Sequence, residues 1–253
     1  MDMVGSGSAG RDSSQRAAVA PRAPRRDASA IPAWWLPLLA ALLPFAVTHL
    51  AWILSTHAER IPACVPYLDG CVSISRAARH GLGNHLFRLV MLPTAALQGL
   101  VWWTAARWLW TRHGRRGRAV AWLGLAAAAF LMLYANFLGT DGEVYQLLRR
   151  YGVTGYFACT FLALLALLRA LSGGAPRSRA DRPLVVVALG FLAVGVVAVA
   201  SGFLPDEAQR DAAENILEWN LGLWLTAMFA ALAWRWRRER LCWRLEQPDR
   251  AAD

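Results

Sequence analysis

Six apolar runs constrain this chain more than any other feature of its sequence. Each approaches or reaches the ~20 residues that a helix needs to cross the hydrocarbon core of a bilayer. The runs span residues 33–54, 89–108, 119–139, 153–171, 184–203 and 215–235. They predict an all-α fold, a polytopic membrane bundle of six transmembrane helices.

Composition supports a membrane protein over a soluble one. Hydrophobic residues make up 57% of the 253 residues and charged residues only 17%, whereas soluble domains are about half apolar and about a quarter charged. We expect a disordered basic tail at residues 1–32, a transmembrane domain at 33–238 and a cytoplasmic tail at 239–253. The first apolar run is too long, and follows too long a tail, for a cleaved signal peptide.

The distribution of arginine predicts the orientation of the bundle. All 27 basic residues are Arg, and the net charge is +10. If the N-terminal tail is inside, the inner segments hold twenty Arg and the outer segments seven. Short Arg-rich segments stay cytoplasmic, so both termini are predicted to lie there. The excess of positive charge is then explained by orientation in the membrane and by contact with anionic lipids at the inner face. No nucleic-acid partner is expected.

Tryptophan follows the same plan, because most Trp fall near predicted helix ends, where aromatic belts form. At the inner ends are Trp34, Trp35, Trp102, Trp103, Trp108, Trp110, Trp122, Trp234 and Trp236, and at the outer ends are Trp52 and Trp219. These positions agree with the topology that arginine predicts.

Cys64 and Cys71 are the only cysteines predicted outside the cytoplasm. An oxidising location favours a disulfide between them, and the intervening sequence, with Pro66 and Gly70, favours a turn. The alternatives are free or redox-active thiols, or a metal site that includes the loop histidines. Six residues separate the cysteines, more than the two to four usual in zinc sites, so we expect no metal and no cofactor.

A basic segment follows this loop and offers candidates for binding a lipid headgroup. They are Arg76, Arg79 and Arg88. Arginine binds phosphate oxygens through two parallel hydrogen bonds. The alternative is a solvated helical face on the membrane surface, which Gly81 and Gly83 are expected to end.

Polar residues near the predicted outer ends suggest a second candidate site. Its members are His49, Asn136, Asp141, Glu143, Glu214 and Glu218. Glu214 and Glu218 belong to a stripe of four carboxylates spaced as on one helical face, Glu207, Asp211, Glu214 and Glu218. Glu218 enters apolar sequence, where an unpaired charge is costly, so we expect a basic or hydrogen-bonding partner to hold it, with His49 or an Arg as the preferred candidate. Snorkelling to water is the alternative for Glu218, and solvation is the alternative for the loop carboxylates.

Several of these features together resemble the DRAM-like superfamily of damage-regulated autophagy modulators and related membrane proteins. The resemblance rests on the six-helix plan with inner termini, Pro66-Tyr67 and Asp69-Gly70 in the first outer loop, and Glu218-Trp219 in the last helix. It implies a protein tied to lipid organisation or membrane trafficking, without catalytic residues to transfer. A bacterial family that shares only the topology is the alternative.

Function is less constrained than topology. The leading hypothesis is a non-enzymatic integral membrane protein with a polar outer-face site, in the inner membrane of a bacterium, with membrane lipids as partners. A protein partner and the oligomeric state stay open. The alternatives are an intramembrane lipid-modifying enzyme that uses His49 with Glu214, Glu218 or Asp141, and a small transporter.

Reporter fusions test the predicted orientation. A reporter active only outside the cytoplasm should be active after residues 60, 145 and 208, and silent after residues 113, 177 and 245, because short Arg-rich segments remain inside. Enzyme activity of each fusion, normalised to its expression, is the measurement. Activity after residue 113 would contradict the orientation.

Overall fold

A computed structural model describes residues 30–115, 117–173 and 178–244, and the outer parts of both predicted tails lie outside this range. Within it the chain forms eight α-helices, one 3-10 turn at Arg179–Asp181 and two two-residue strands. The helices are α1 Trp35–His57, α2 Pro66–Asp69, α3 Ile74–Ala77, α4 Gly81–His113, α5 Arg118–Phe137, α6 Glu143–Ser172, α7 Arg182–Ser201 and α8 Glu207–Arg238; the strands are β1 Ile31–Pro32 and β2 Cys242–Trp243.

Six segments of the described chain are helical, long enough and apolar enough to cross a membrane. They are α1, α4, α5, α6, the segment Arg179–Ser201 that includes α7, and α8. The all-α class and the number of long apolar helices are therefore confirmed. Residues 32–243 form one compact unit. The other unit comprises residues 1–31 and 244–253, of which the structure describes only residues 30, 31 and 244.

Two helices begin well before their apolar runs, because backbone hydrogen bonds do not require apolar side chains. α6 starts at Glu143, so the polar segment before residue 153 is part of the same helix. α4 starts at Gly81, which has φ +62°. Gly81 thus lies at the junction of two helices, as the first residue of α4, although the preceding helix α3 already ends at Ala77. The expectation that Gly83 ends a helix is wrong, since Gly83 lies inside α4 and packs close to Ala51 of α1.

The connections between helices define two ends of the bundle. We call one the disulfide end; it carries residues 58–80, 138–142 and 202–206. The other is the Arg-rich end, where Arg115 donates a hydrogen bond to the Gly173 carbonyl at 2.8 Å and the Ala33 amide donates to the Leu241 carbonyl at 2.8 Å.

A buried ionic network joins three helices at the Arg-rich end. Arg235 of α8 contacts Asp181 at 3.0 Å, at the start of α7, and Glu239 at 2.7 Å. The Trp108 indole of α4 donates to the other Glu239 oxygen at 2.6 Å. Arg235 and Asp181 are both buried, and pairing offsets the cost of removing these charges from water.

The tryptophans divide between the core and the surface, and the belt prediction is wrong for those in the core. Trp102, Trp108 and Trp236 are buried inside the bundle, as is Trp219 near the disulfide end. By contrast Trp103, Trp110 and Trp122 of the predicted inner set are exposed. Position near a helix end does not specify which face of the helix a side chain occupies.

Glycine allows α5 and α6 to approach each other closely. A Cβ atom on Gly152 of α6 would lie 2.8 Å from the Tyr134 amide nitrogen and 3.0 Å from its Cα on α5. These neighbours are backbone atoms, which cannot move without shifting a helix. Gly195 of α7 is also a helical glycine, but a Cβ atom added to it would have no neighbouring atom within 4 Å.

We therefore expect Gly152→Ala to lower the free energy of unfolding by about 1–3 kcal/mol, the usual cost of overpacking. Thermal unfolding of the purified protein in detergent measures the effect. Gly195→Ala is the matched control and should leave the midpoint unchanged or slightly raised. Equal midpoints for the two variants would contradict the close approach of α5 and α6.

Candidate functional site

The segment between α1 and α4 forms an ordered cap at the disulfide end. Cys64 and Cys71 are bonded, with Cα atoms 6.6 Å apart, and α2 lies between them. This confirms the predicted disulfide and leaves neither thiol as a metal ligand. Gly70 ends α2 with φ +63°, and a Cβ atom there would overlap the Ala212 carbonyl of α8.

Three side chains of α8 hold this cap through its backbone carbonyls. Asn215 donates to the Gly70 carbonyl at 2.8 Å and the Trp219 indole donates to the Val72 carbonyl at 2.9 Å. Asn220 donates to the Tyr67 carbonyl at 3.3 Å. Asn215 and Trp219 are buried, so these bonds satisfy acceptors that water does not reach.

His49 of α1 is paired with a tyrosine of the cap. Its Nδ1 lies 2.7 Å from the Phe45 carbonyl and therefore carries the proton, so Nε2 accepts from the Tyr67 hydroxyl at 2.8 Å. The Trp219 ring packs against both rings. Burial raises the pKa of the Tyr67 phenol, which favours its protonated, donating form.

Glu218 of α8 lies beneath the cap, but the expected ion pair is wrong. Within residues 30–115, 117–173 and 178–244, no Arg or His nitrogen lies within 4.0 Å of its carboxylate oxygens. The Ser75 amide at the start of α3 donates to Oε1 at 3.3 Å instead. His49 is not its partner because both imidazole nitrogens are already used by Phe45 and Tyr67.

A small apolar cavity of about 80 Å³ lies inside the bundle below these residues. His49, Tyr67 and Glu218 contribute to its wall, together with mainly apolar side chains from the long helices. Within the bundle Tyr156 donates to Gln98 at 2.9 Å. The Tyr134 side chain is only 5% exposed, and its hydroxyl has no partner among the described residues.

A larger polar cleft of about 400 Å³ opens at the disulfide end between α6, α7 and α8. Arg79, Arg149, Arg150, Glu214 and Glu218 supply its charged groups. Glu218 and Tyr134 line both the cleft and the apolar cavity. Val153 and Phe157 also line both spaces, so the two meet at one carboxylate, one unpartnered hydroxyl and two apolar side chains.

The cleft is bordered by a half-helix that packs against little of the described protein. Within residues 192–200 of α7 every residue except Val194 is exposed, including Val196, Val197 and Val199 at 53–69%. Ala198 of the same half lines the cleft. The first half of α7 is different, because residues 184, 187 and 191, which are Leu, Val and Phe, are buried.

The structure brings together only some of the residues that the sequence suggested. His49, Glu214, Glu218 and Arg79 line the cavity or the cleft. Asn136, Asp141 and Glu143 are exposed and line neither space, and Arg76 and Arg88 line neither as well. Asp141 and Glu143 therefore do not form a site together with His49.

Other lining residues had no distinguishing signal in the sequence. Tyr134 and Thr154 lie in apolar runs, and Arg150 is one of seven predicted outer arginines. Arg149 is bound elsewhere, since it donates to the Thr140 carbonyl at 2.7 Å and the Phe137 carbonyl at 3.4 Å. Its role is to cap the end of α5.

Comparison of the chain with protein-family models, curated proteins and solved structures finds no match in any of the three. The resemblance to the DRAM-like superfamily therefore stays a prediction. Within the described residues, no group of three or more His, Cys, Asp or Glu side chains is arranged to hold a metal ion.

Replacing Asn215 with Leu tests whether α8 holds the cap. The change leaves the buried Gly70 carbonyl without its donor, and we expect a loss of about 1–3 kcal/mol in the free energy of unfolding. Thermal unfolding in detergent measures it. Asn136→Leu is the control, because Asn136 is exposed on α5 and should tolerate the change. A loss for Asn136→Leu as large as for Asn215→Leu would contradict this role.

Proposed function

We propose that this protein is a non-enzymatic, multi-pass membrane protein that binds a phospholipid at the disulfide end of its helix bundle. The observation that carries the proposal is the polar cleft of about 400 Å³, which is lined by charges of both signs and bordered by the exposed half of α7. Sites for small molecules commonly have volumes of about 300–1,000 Å³.

In this proposal the six long helices cross the plasma membrane of a bacterium with both termini in the cytoplasm. Exposed apolar side chains along the long helices, such as Leu42, Leu189 and Val199, suit contact with lipid. The Arg-rich end then faces the cytoplasm and anionic lipids there. The disulfide end faces the oxidising side, where Cys64–Cys71 is stable.

The cleft then lies at the level of the outer-leaflet headgroups. The lipid headgroup occupies the charged part between α6 and α8, and the acyl chains leave beside residues 192–200 of α7. The apolar cavity of about 80 Å³ is too small for a whole acyl chain by the scale of known ligand sites. The function is thus lipid organisation, in line with the resemblance stated above.

The enzyme hypothesis receives less support from the geometry. His49 is held at both nitrogens by Phe45 and Tyr67, which suits a structural role. The raised pKa of Tyr67 opposes formation of a nucleophilic phenolate. Incubating the purified protein with phospholipid and analysing the products separates the hypotheses, because turnover favours the enzyme.

A bulky residue in the cleft provides the direct test of lipid binding. Ala198 lines the cleft on an exposed helix face, so Ala198→Trp should fill it without disturbing the core. With a photoreactive phospholipid in nanodiscs, we expect saturable labelling of α6 or α8 in the wild type. Labelling should fall about tenfold in the variant, equivalent to about 1.4 kcal/mol.

Val197→Trp is the matched control, because Val197 is the adjacent exposed residue and does not line the cleft. It should label like the wild type. Labelling that does not saturate, or that is the same in Ala198→Trp and Val197→Trp, would rule out the cleft as a lipid site.

A further inference from the structure

The charged groups of the cleft face one space without pairing with one another. Arg79, Arg150, Glu214 and Glu218 all line it, yet none of them forms an ion pair within 4.0 Å in the described part of the chain. Opposite charges that can reach each other normally do so near an apolar region. Their separation leaves room for a ligand that carries both signs.

The arginines of the cleft have side-chain N–H donors that no described residue uses. The Arg79 Nε is buried and has no partner in the described residues, and the Arg150 side chain makes no hydrogen bond with any of them. Guanidinium groups bind phosphate oxygens with matched geometry. Arg149 is less suited, since its Nη1 is used by the Phe137 and Thr140 carbonyls.

The anions are equally open to a ligand. Glu218 accepts one hydrogen bond, from the Ser75 amide, and Glu214, one turn away on the same helix, is exposed. A carboxylate has several acceptor positions, so the pair can receive the hydrogens of an ammonium group. At the deep end, the unpartnered hydroxyl of Tyr134 can donate to an ester carbonyl.

We infer that the cleft selects a zwitterionic phospholipid whose headgroup combines a phosphate with a primary ammonium. This inference rests on the proposed lipid site and specifies its ligand. Arg79 and Arg150 bind the phosphate, Glu214 and Glu218 bind the ammonium, and Tyr134 donates to the first ester carbonyl. A lipid with a phosphate and no ammonium leaves both carboxylates unpaired beside its own negative charge, which costs affinity.

Competition between two lipids with identical acyl chains tests the selectivity. Phosphatidylethanolamine and phosphatidylglycerol compete separately with the photoreactive phospholipid for wild-type protein in nanodiscs. We expect phosphatidylethanolamine to compete about tenfold better, equivalent to about 1.4 kcal/mol. The double variant Glu214→Gln, Glu218→Gln should lose this preference, while Arg150→Gln should weaken both competitors alike.

Asp211→Asn is the control, because Asp211 belongs to the same carboxylate stripe of α8 and does not line the cleft. It should keep the wild-type preference. Glu218→Gln can lower stability, because the Ser75 amide donates to this carboxylate. The single variant Glu214→Gln, at an exposed position, avoids this effect and should still reduce the preference for phosphatidylethanolamine.

The outcomes separate this inference from the proposed function. Labelling that Ala198→Trp lowers as expected, with phosphatidylglycerol competing as well as phosphatidylethanolamine or better, would overturn the headgroup assignment and leave the lipid site standing. A preference that survives in the double variant would also overturn it. Labelling insensitive to Ala198→Trp would remove the lipid site itself.

Discussion

The hydrogen bonds between α8 and the cap are the interaction on which the disulfide end depends. A chain that turns twice between α1 and α4 leaves carbonyls that no helix can satisfy. Asn215, Trp219 and Asn220 supply donors to three of them. An acceptor that water does not reach costs about 1–3 kcal/mol when it is left without a donor. The last long helix therefore fixes the position of the first loop.

That attachment also sets the environment of Glu218. Because Trp219 holds Val72, the start of α3 lies over the neighbouring residue of α8, and the Ser75 amide reaches the Glu218 carboxylate. The same placement orients Tyr67 toward His49. His49 and Glu218, predicted to pair with each other, are thus each held by a residue of the cap instead. The carboxylate keeps free acceptor positions toward the cleft.

Much of the fold could be predicted because it follows from local sequence. Twenty-residue apolar runs specify long helices whatever their neighbours, and a cysteine pair around Pro66 and Gly70 specifies a closed turn. Glycines were less informative: Gly83 resembles a helix breaker in sequence, yet it serves close packing of α4 against α1. Whether a glycine ends a helix or packs inside it depends on what another helix brings to that position.

The site could be predicted only in part, for the same reason. Helical spacing placed Glu214 and Glu218 on one stripe, and both line the cleft. Spacing could not show that Asp141 and Glu143, in the second outer connection, are exposed away from it. Nor could it identify Tyr134, an aromatic residue in an apolar run whose side chain lines the cavity. Those assignments require the angular positions of the helices around the bundle.

The exposed half of α7 has a physical explanation in the charges beside it. Closing α7 over the cleft would bury Arg150 and Glu214 together with Arg79 and Glu218, without pairing them in the observed arrangement. Burying unpaired charges costs several kcal/mol for each ion. Packing the valines of this half against protein gains little in return, because lipid tails are as apolar as the side chains they would replace. In the proposed membrane location an open cleft is therefore the favourable state, and a ligand with both charges can occupy it without the cost that a helix would incur.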